Sequence, residues 1–265
     1  MSDAIKSSLK KAVEGSTLVF IGSVLSLLIW FITRLLIIRN LTKDEFGVYS
    51  VAIAVGGIVS AVASLGIHEA VPRYISIYSG RCDENRIKFI SKFAVKTGVL
   101  SGIIAAFILM VFADSISVSI FYKPEIATYL SIISLFVFAS VMTNIFAGIL
   151  RGHHIIYPKT LFIDIGQPLT LLILLFICGI FKFSLLNTIW AFTGAIVLPM
   201  ALIGGFYFKK TLLYSSPANS DTETGKDFIK FAFNLLILNI LGLFMMWSDT
   251  LMLGRYSPVE EAGIY

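Results

Sequence analysis

Charged residues are scarce in this sequence. Of its 265 residues only 14% are Asp, Glu, Lys or Arg, where a soluble domain carries about a quarter. Hydrophobic residues make up 57% of the chain, and the mean hydropathy is +0.89. Long polar segments are lacking too, because the longest, from Lys209 to Asp227, has the Ser, Thr and Asp content of a linker. This leaves no room for a folded aqueous domain, so we predict an all-α, polytopic membrane protein whose function lies within the bilayer.

Apolar runs long enough to cross a bilayer recur along the whole chain, since a spanning helix needs about 20 residues. We predict about seven spanning helices, at 16–38, 46–67, 93–112, 126–150, 160–180, 185–208 and 228–254. The first run is too long for the core of a signal peptide and is interpreted as an uncleaved anchor. Ahead of it, residues 1–15 predict a cytoplasmic amphipathic segment on an anionic surface, with a frayed basic tail as the alternative.

Several chemical signatures are also missing. The two cysteines, Cys82 and Cys178, fall on opposite sides of the predicted membrane topology, which implies neither a disulfide nor a metal site. There is no glycine-lysine loop of the Walker type, and neither an extramembrane nucleotide-binding segment nor a set of catalytic acids can be recognised. We therefore expect a protein that is not an enzyme and has no cofactor.

The net charge of +5 could suggest a nucleic-acid partner, but the placement of the basic residues indicates a membrane topology instead. With the N-terminus in the cytoplasm, the inner segments hold more Lys and Arg than the outer ones, as the positive-inside rule requires. These inner segments are 1–15, 81–92, 151–159 and 209–226. We expect a multi-pass protein of the cell membrane with a cytoplasmic N-terminus and no nucleic-acid partner.

A short internal repeat suggests how the helices are organised. "RNLTKDEFGVY" (Arg39–Tyr49) and "RYSPVEEAGIY" (Arg255–Tyr265) align without gaps and share Arg, Glu, Gly and Tyr. An even number of predicted spans separates them, so both copies have the same orientation, as in parallel repeats. We predict a six-helix lobe at 16–208, a cytoplasmic linker at 209–227, and at 228–265 the first helix and following loop of an incomplete second lobe.

Several motifs together resemble a known family. They are a lysine-bearing start, "RNLTKDEFGVYSVAIAV", "SLGIHEAVPRYIS", "GILRGHHIIYPK" and "SDTLMLGRYSPVEEAGIY". The sequence is similar to the polysaccharide flippases of the multidrug/oligosaccharidyl-lipid/polysaccharide exporter superfamily, here apparently truncated after the seventh helix. The resemblance implies two six-helix lobes around a central cavity that moves lipid-linked oligosaccharides from the inner to the outer leaflet.

Two alternatives stay open beside this interpretation. One is a multidrug or lipid-linked peptidoglycan-precursor transporter of the same superfamily. The other is an inactive or partner-dependent half-transporter, in which a second chain would supply the missing lobe. The expected partners are membrane lipids, a lipid-linked glycan substrate and, in the second alternative, that further chain.

Moving a polar head group through hydrocarbon requires a hydrated cavity, so polar side chains inside the predicted spans are the candidates for lining it. They are Arg34, Arg73, Asn144, Asp164, Gln167 and Asp249. Arg34 would attract a pyrophosphate or, as the alternative, extend to the outer interface. Asp164 is a candidate for coupling to protons or sodium ions, with an interhelical hydrogen bond to Asn144 or another polar partner as the alternative role.

The inner mouth of this cavity is expected where the second predicted span reaches the cytoplasm. His68, Glu69 and Arg151 are the candidates there. Glu69 and Arg73 are four residues apart, which predicts an ion pair on one helix face, and Pro72 predicts a kink. Arg73 would be the first group to meet a phosphate, unless the pair only anchors the helix.

Overall fold

A computed structural model describes residues 2–155, 157–181, 183–211 and 222–256 of the chain. Within these ranges the chain is helical, with one π-helical turn, Thr160–Ile165, inside the fifth span. The α-helices are α1 (Ser2–Asn40), α2 (Lys43–Ala63), α3 (Ile67–Gly80), α4 (Glu84–Val111), α5 (Ala113–Ser119), α6 (Ile126–Gly152), α7 (Tyr157–Lys159), α8 (Gly166–Phe181), α9 (Leu185–Thr211) and α10 (Thr222–Tyr256).

In the described part of the chain, six segments are long and apolar enough to cross a membrane. They are Val19–Asn40, Lys43–Gly80, Glu84–Val111, Ile126–Gly152, Tyr157–Ile180 and Leu185–Lys209. A seventh span is formed by α10 if its two parts, which meet at a bend of 53°, cross together. The predicted class, an all-α membrane protein with about seven spans, is confirmed. Helix α1 begins at Ser2 and continues without a break through residue 15, while residues 212–221 of the predicted linker lie outside the described ranges.

The second span is broken by an elbow between α2 and α3. Ser64 caps the end of α2, and Leu65 and Gly66 have φ angles of 50° and 67°, in the left-handed region. Gly66 tolerates this conformation because it has no Cβ. A Cβ there would also collide with the carbonyl oxygen of Ala232, because the backbone of α10 packs directly into the elbow. The predicted kink at Pro72 is therefore displaced to Leu65–Gly66, and Pro72 lies within α3.

Helix α6 lies at the centre of the bundle and is buried for most of its length. It packs against α2 and α3 on one side, α4 on another and α9 on a third. The contacts between α6 and α3 are close because α6 presents glycines there: a Cβ on Gly152 would lie 2.7 Å from the Cβ of Ile75. Small residues at helix crossings suit a membrane protein, in which van der Waals packing rather than the hydrophobic effect holds helices together.

The buried side chains form two clusters, one near each end of the bundle. The first joins the start of α2, the first half of α6 and the first half of α9 around residues such as Ile133 and Phe192. The second joins α3, the start of α4, the second half of α6 and the first turns of α10 around Ile75, Ile145 and Phe228. The elbow lies between these clusters. It therefore determines where along the bundle the polar residues of span two lie.

Candidate functional site

Three of the predicted mouth residues meet just beyond the elbow. His68 and Glu69 occupy the first turn of α3, and Arg151 the last turn of α6. Arg151 donates a hydrogen bond from Nη2 to the carbonyl oxygen of His68 at 3.2 Å, and the same nitrogen lies 3.8 Å from Oε1 of Glu69. His68 Nε2 lies 3.6 Å from that carboxylate oxygen. We call His68, Glu69 and Arg151 the elbow cluster.

The elbow cluster depends on a close approach of the α3 backbone to α6. A Cβ on Gly148 would lie 2.7 Å from the carbonyl oxygen of His68, which is tighter than real Cβ contacts. Since Gly148 is one turn before Arg151, the same approach brings the guanidinium to the start of α3. Two buried nitrogens of the cluster, Nδ1 of His68 and Nε of Arg151, have no hydrogen-bond partner among the described residues. The cluster therefore keeps unused donor capacity.

Arg73 does not form the predicted ion pair with Glu69. Its guanidinium carbon instead lies 4.3 Å from the ring centre of Phe231 on α10, a cation–π arrangement. Glu69 is held by Arg151 on a different helix, so the expectation of an intrahelical pair was wrong. Arg73 itself is exposed and one turn beyond Glu69 on α3, so the start of α3 and the end of α6 together carry two arginines and one glutamate.

Asn144 is exposed although the residues on either side of it in α6 are buried. In the other half of the bundle the same strip of α6 is covered by α2, which places Gly56 against Ile133. Asn144 and Arg151 lie eleven and eighteen residues after Ile133, or about three and five turns, so all three share one face. Beyond the elbow this face is uncovered. Asn144 and Arg151 thus lie on one uncovered face of α6, with α3 on one side, and because an amide facing lipid is costly, we infer that this face borders a hydrated cleft.

Asp164 is paired with a residue that the sequence analysis placed in the preceding loop. Lys159 Nζ lies 2.9 Å and 3.0 Å from the two carboxylate oxygens of Asp164. The two residues are five apart and bracket the π-helical turn, Thr160–Ile165. Of the partners named for the alternative role of Asp164, the described contacts show a polar partner other than Asn144, namely Lys159. Gln167 follows in the first turn of α8 and is half-buried.

The two remaining cavity candidates lie on helices at the edge of the described bundle. Arg34 is exposed on α1. Asp249 is exposed near the end of α10, where Ser248 Oγ lies 3.5 Å from its Oδ1. The described contacts thus join His68, Glu69 and Arg151, and pair Asp164 with Lys159. Arg34, Gln167 and Asp249 belong to neither group.

Sequence reasoning missed three participants. Lys159 was overlooked because a spacing of five residues is out of register for an α-helix, and Phe231 because it comes from a distant helix. Gly148 gave no signal beyond its small size. A fourth feature, outside the site, does have a recognisable sequence signal. Thr42 and Glu45 form a capping box at the start of α2, in which Thr42 N donates to Glu45 Oε2 at 2.9 Å. Among the described residues no group of three or more His, Cys, Asp or Glu side chains could hold a metal ion.

Comparison with solved structures finds the same helical arrangement in transporters. An inward-facing multidrug resistance transporter of the MATE family, from the MOP superfamily, superposes with a TM-score of 0.72 at 17% identity, over 89% of this chain and 55% of that one. An outward-facing structure of such a transporter gives 0.73 at 16% identity, over 90% and 54%. A MOP superfamily transporter from Pyrococcus furiosus Vc1 (DSM3638), described as having a binding pocket of reverse polarity, gives 0.73 at 16% identity, over 91% and 55%.

At these identities the likeness establishes the fold, and this chain spans about half the length of the transporters it matches. No curated protein matches the chain. The fold is thus that of multi-pass membrane transporters. A family model described as polysaccharide biosynthesis protein matches residues 12–265, nearly the whole sequence, and the chain belongs to that family.

Proposed function

We propose that this chain serves a transporter that moves lipid-linked oligosaccharide or polysaccharide precursors from the inner to the outer leaflet by alternating access. The observation that carries the proposal is the charge at the elbow. Arg151 lies beside the carboxylate of Glu69, and the exposed Arg73 follows one turn later on α3, where it stacks on Phe231. A mouth with two guanidinium groups and one carboxylate favours an anionic head group, because guanidinium binds phosphate through charge-assisted hydrogen bonds.

Unused hydrogen-bond capacity supports the same conclusion. Nε of Arg151 is buried and has no partner among the described residues, and Arg73 is held by a ring face that leaves its N–H groups unengaged by acceptors. A phosphate entering the cleft would therefore find donors without having to displace a strong existing bond. Asn144, two turns deeper on α6, would offer amide hydrogen bonds to a sugar hydroxyl.

The test is a flipping assay in proteoliposomes containing the protein as expressed from its own gene. A fluorescent lipid-linked oligosaccharide is supplied in one leaflet, and its appearance in the other is followed by quenching. Each of Arg73→Gln and Arg151→Gln should slow flipping by about 10-fold or more, since a hydrogen bond to a charged group contributes about 1.5–3 kcal/mol. Arg81→Gln, an exposed arginine just after α3, is the control and should transport normally.

Flipping at the normal rate by both variants would exclude the elbow as the head-group site. Export of an organic cation by the same proteoliposomes, with no transfer of the glycolipid, would favour the multidrug alternative. Asp164 is the acid that we propose for coupling to protons or sodium ions, because its carboxylate already binds one cationic group, the Lys159 ammonium. Imposing a pH or a sodium gradient across the same vesicles identifies the driving ion.

A further inference from the structure

Four exposed lysines lie at one depth on two neighbouring helices. Lys92 and Lys96 are on α4, and Lys226 and Lys230 are on α10. The rings of Phe93 and Phe228 meet edge to face, with centroids 6.0 Å apart, and this contact fixes the register of the two helices. Each lysine is within three residues of one of these phenylalanines, or within about 5 Å along its helix axis. We call the four residues the lysine belt.

Within the described part of the chain, the lysine belt has no acidic partners. Elsewhere on this end of the molecule cations have acidic partners: Lys88 Nζ lies 3.6 Å from Glu84, and Arg86 Nε lies 3.5 Å from Asp83. None of the four belt lysines forms an ion pair within the described ranges. Asp227, the acid between Lys226 and Lys230 in sequence, is exposed and forms no ion pair with them within the same ranges. Four positive charges are thus left at one level.

That level is the boundary of the membrane. Phe93 and Phe228 are the first residues of the apolar runs in α4 and α10. Lys92 and Lys226 therefore stand just outside the hydrocarbon, while Lys96 and Lys230 start just inside it and reach the interface along their apolar stems. Four lysines at this height are placed where the phosphates of a lipid leaflet lie.

The surface directly beyond the lysines is apolar and open. On α4 the side chains of Leu100 and Ile103 are 60% and 53% exposed, and on α10 those of Ile229 and Phe233 are 53% and 58% exposed. A small soluble anion would use only the lysines. A phospholipid would use the lysines for its head group and these side chains for its acyl chains, which is why the combination fits a lipid.

We propose that the lysine belt binds the phosphate head groups of anionic glycerophospholipids in the adjacent leaflet, around the outer surfaces of α4 and α10. The site is distinct from the elbow cluster, and its lipids are not the transported substrate. Because lipid bound to the folded protein stabilises it by mass action, the attachment of α10 at this level by Phe228 and Phe231 against Tyr74 and Phe93 should be strengthened.

The experiment measures lipid binding to the purified full chain in nanodiscs of phosphatidylcholine into which phosphatidylglycerol is titrated. Phosphatidylglycerol should raise the melting temperature of the wild type and remain bound in native mass spectrometry. Each lysine near a lipid surface changes binding by about fivefold, so the variant K92Q/K96Q/K226Q/K230Q should bind phosphatidylglycerol at least about 10-fold more weakly. The control R81Q/K209Q removes two exposed cations elsewhere and should bind like the wild type.

Two further measurements decide between sources of the phosphate. Soluble glycerol phosphate at the same concentration should give no stabilisation, and 0.5 M salt should weaken the lipid effect, since salt screens exposed charges. If phosphatidylglycerol binding weakened equally in the belt variant and in the control, the proposal would be overturned in favour of a general effect of surface charge. Equal stabilisation by glycerol phosphate would overturn it in favour of a soluble anion.

Discussion

At the scale of single residues, the elbow cluster depends on one missing side chain. Gly148 lets α3 approach α6, and the added methyl of Gly148→Ala would meet the carbonyl oxygen of His68 at 2.7 Å. That oxygen belongs to the backbone and cannot rotate away, so the helices must separate. We expect a loss of about 1–3 kcal/mol, the usual effect of overpacking, measured as a lower melting temperature in detergent. The bond from Arg151 to His68 should lengthen with it.

A matched glycine tests whether packing is the cause. Gly205 on α9 is also helical, but a Cβ there has nothing within 4 Å. Gly205→Ala should stabilise the protein by about 0.5–1 kcal/mol, because alanine loses less conformational freedom in a helix than glycine does. A loss of stability for Gly148→Ala together with a gain for Gly205→Ala would support the close approach at Gly148. Stabilisation by both substitutions would contradict it.

The sequence shows which residues within the spans are polar, but it does not show which residues they contact. Glu69 and Arg73 have the spacing of a helical ion pair, yet Glu69 is held by Arg151, which is far away in the chain. An intrahelical pair gains only about 0.2–0.5 kcal/mol. A modest local preference of this size is easily overridden once tertiary packing brings a second guanidinium close.

At the scale of elements, the π-helical turn of the fifth span explains the pairing of Lys159 with Asp164. In an α-helix residues five apart point about 140° away from each other, whereas a π turn closes bonds between residues i and i+5 and brings them together. Pro168 contributes, because it lacks an N–H and its ring crowds the carbonyl four residues earlier, that of Asp164. The ion pair and the turn therefore stabilise each other.

A double-mutant cycle measures that coupling. Asp164→Asn leaves the Lys159 ammonium without its counter-charge and should cost about 1–2 kcal/mol, and Lys159→Gln should have a similar effect. The double variant should lose less free energy of unfolding than the two single variants together, and the difference, their coupling energy, should be about 0.5 kcal/mol or more. Thermal unfolding in nanodiscs checks this. Additive losses would mean that the two side chains do not stabilise the turn together.

The spans were predictable from hydropathy, while their interruptions were not. Each predicted run lies on helical segments, although 46–67 crosses the elbow and 160–180 contains the π-helical turn, because about 20 apolar residues have no other stable form in lipid. The elbow at Leu65–Gly66 is preceded by no proline, and the proline that suggested a kink, Pro72, fits within α3. The break is imposed by packing, since the backbone of α10 fills the elbow at Gly66. A contact with a helix so distant in sequence has no local signature.

At the scale of the whole molecule, spans two, four and six run side by side in the same direction. Gly56 and Ile75 contact Ile133 and Gly152 in order along α6, so α2 and α3 run parallel to it. The ring of Phe192 contacts that of Phe136, and the ring of Tyr207 contacts that of Phe146, so α9 does too. This alternation is what a chain crossing the membrane repeatedly must give. It also places the elbow cluster and the lysine belt toward the same end.

The orientation of the molecule can be read from two loops at opposite ends. Cys82, between α3 and α4, is exposed, and Tyr122, after α5, has 67% of its surface exposed. The positive-inside rule predicts that Cys82 faces the cytoplasm, as the N-terminus would. In intact cells a membrane-impermeant maleimide should therefore leave Cys82 unlabelled and should label Tyr122→Cys in a Cys82→Ser background. Permeabilised cells should label both, which controls for reactivity. The reverse pattern would invert the orientation and place the lysine belt in the outer leaflet.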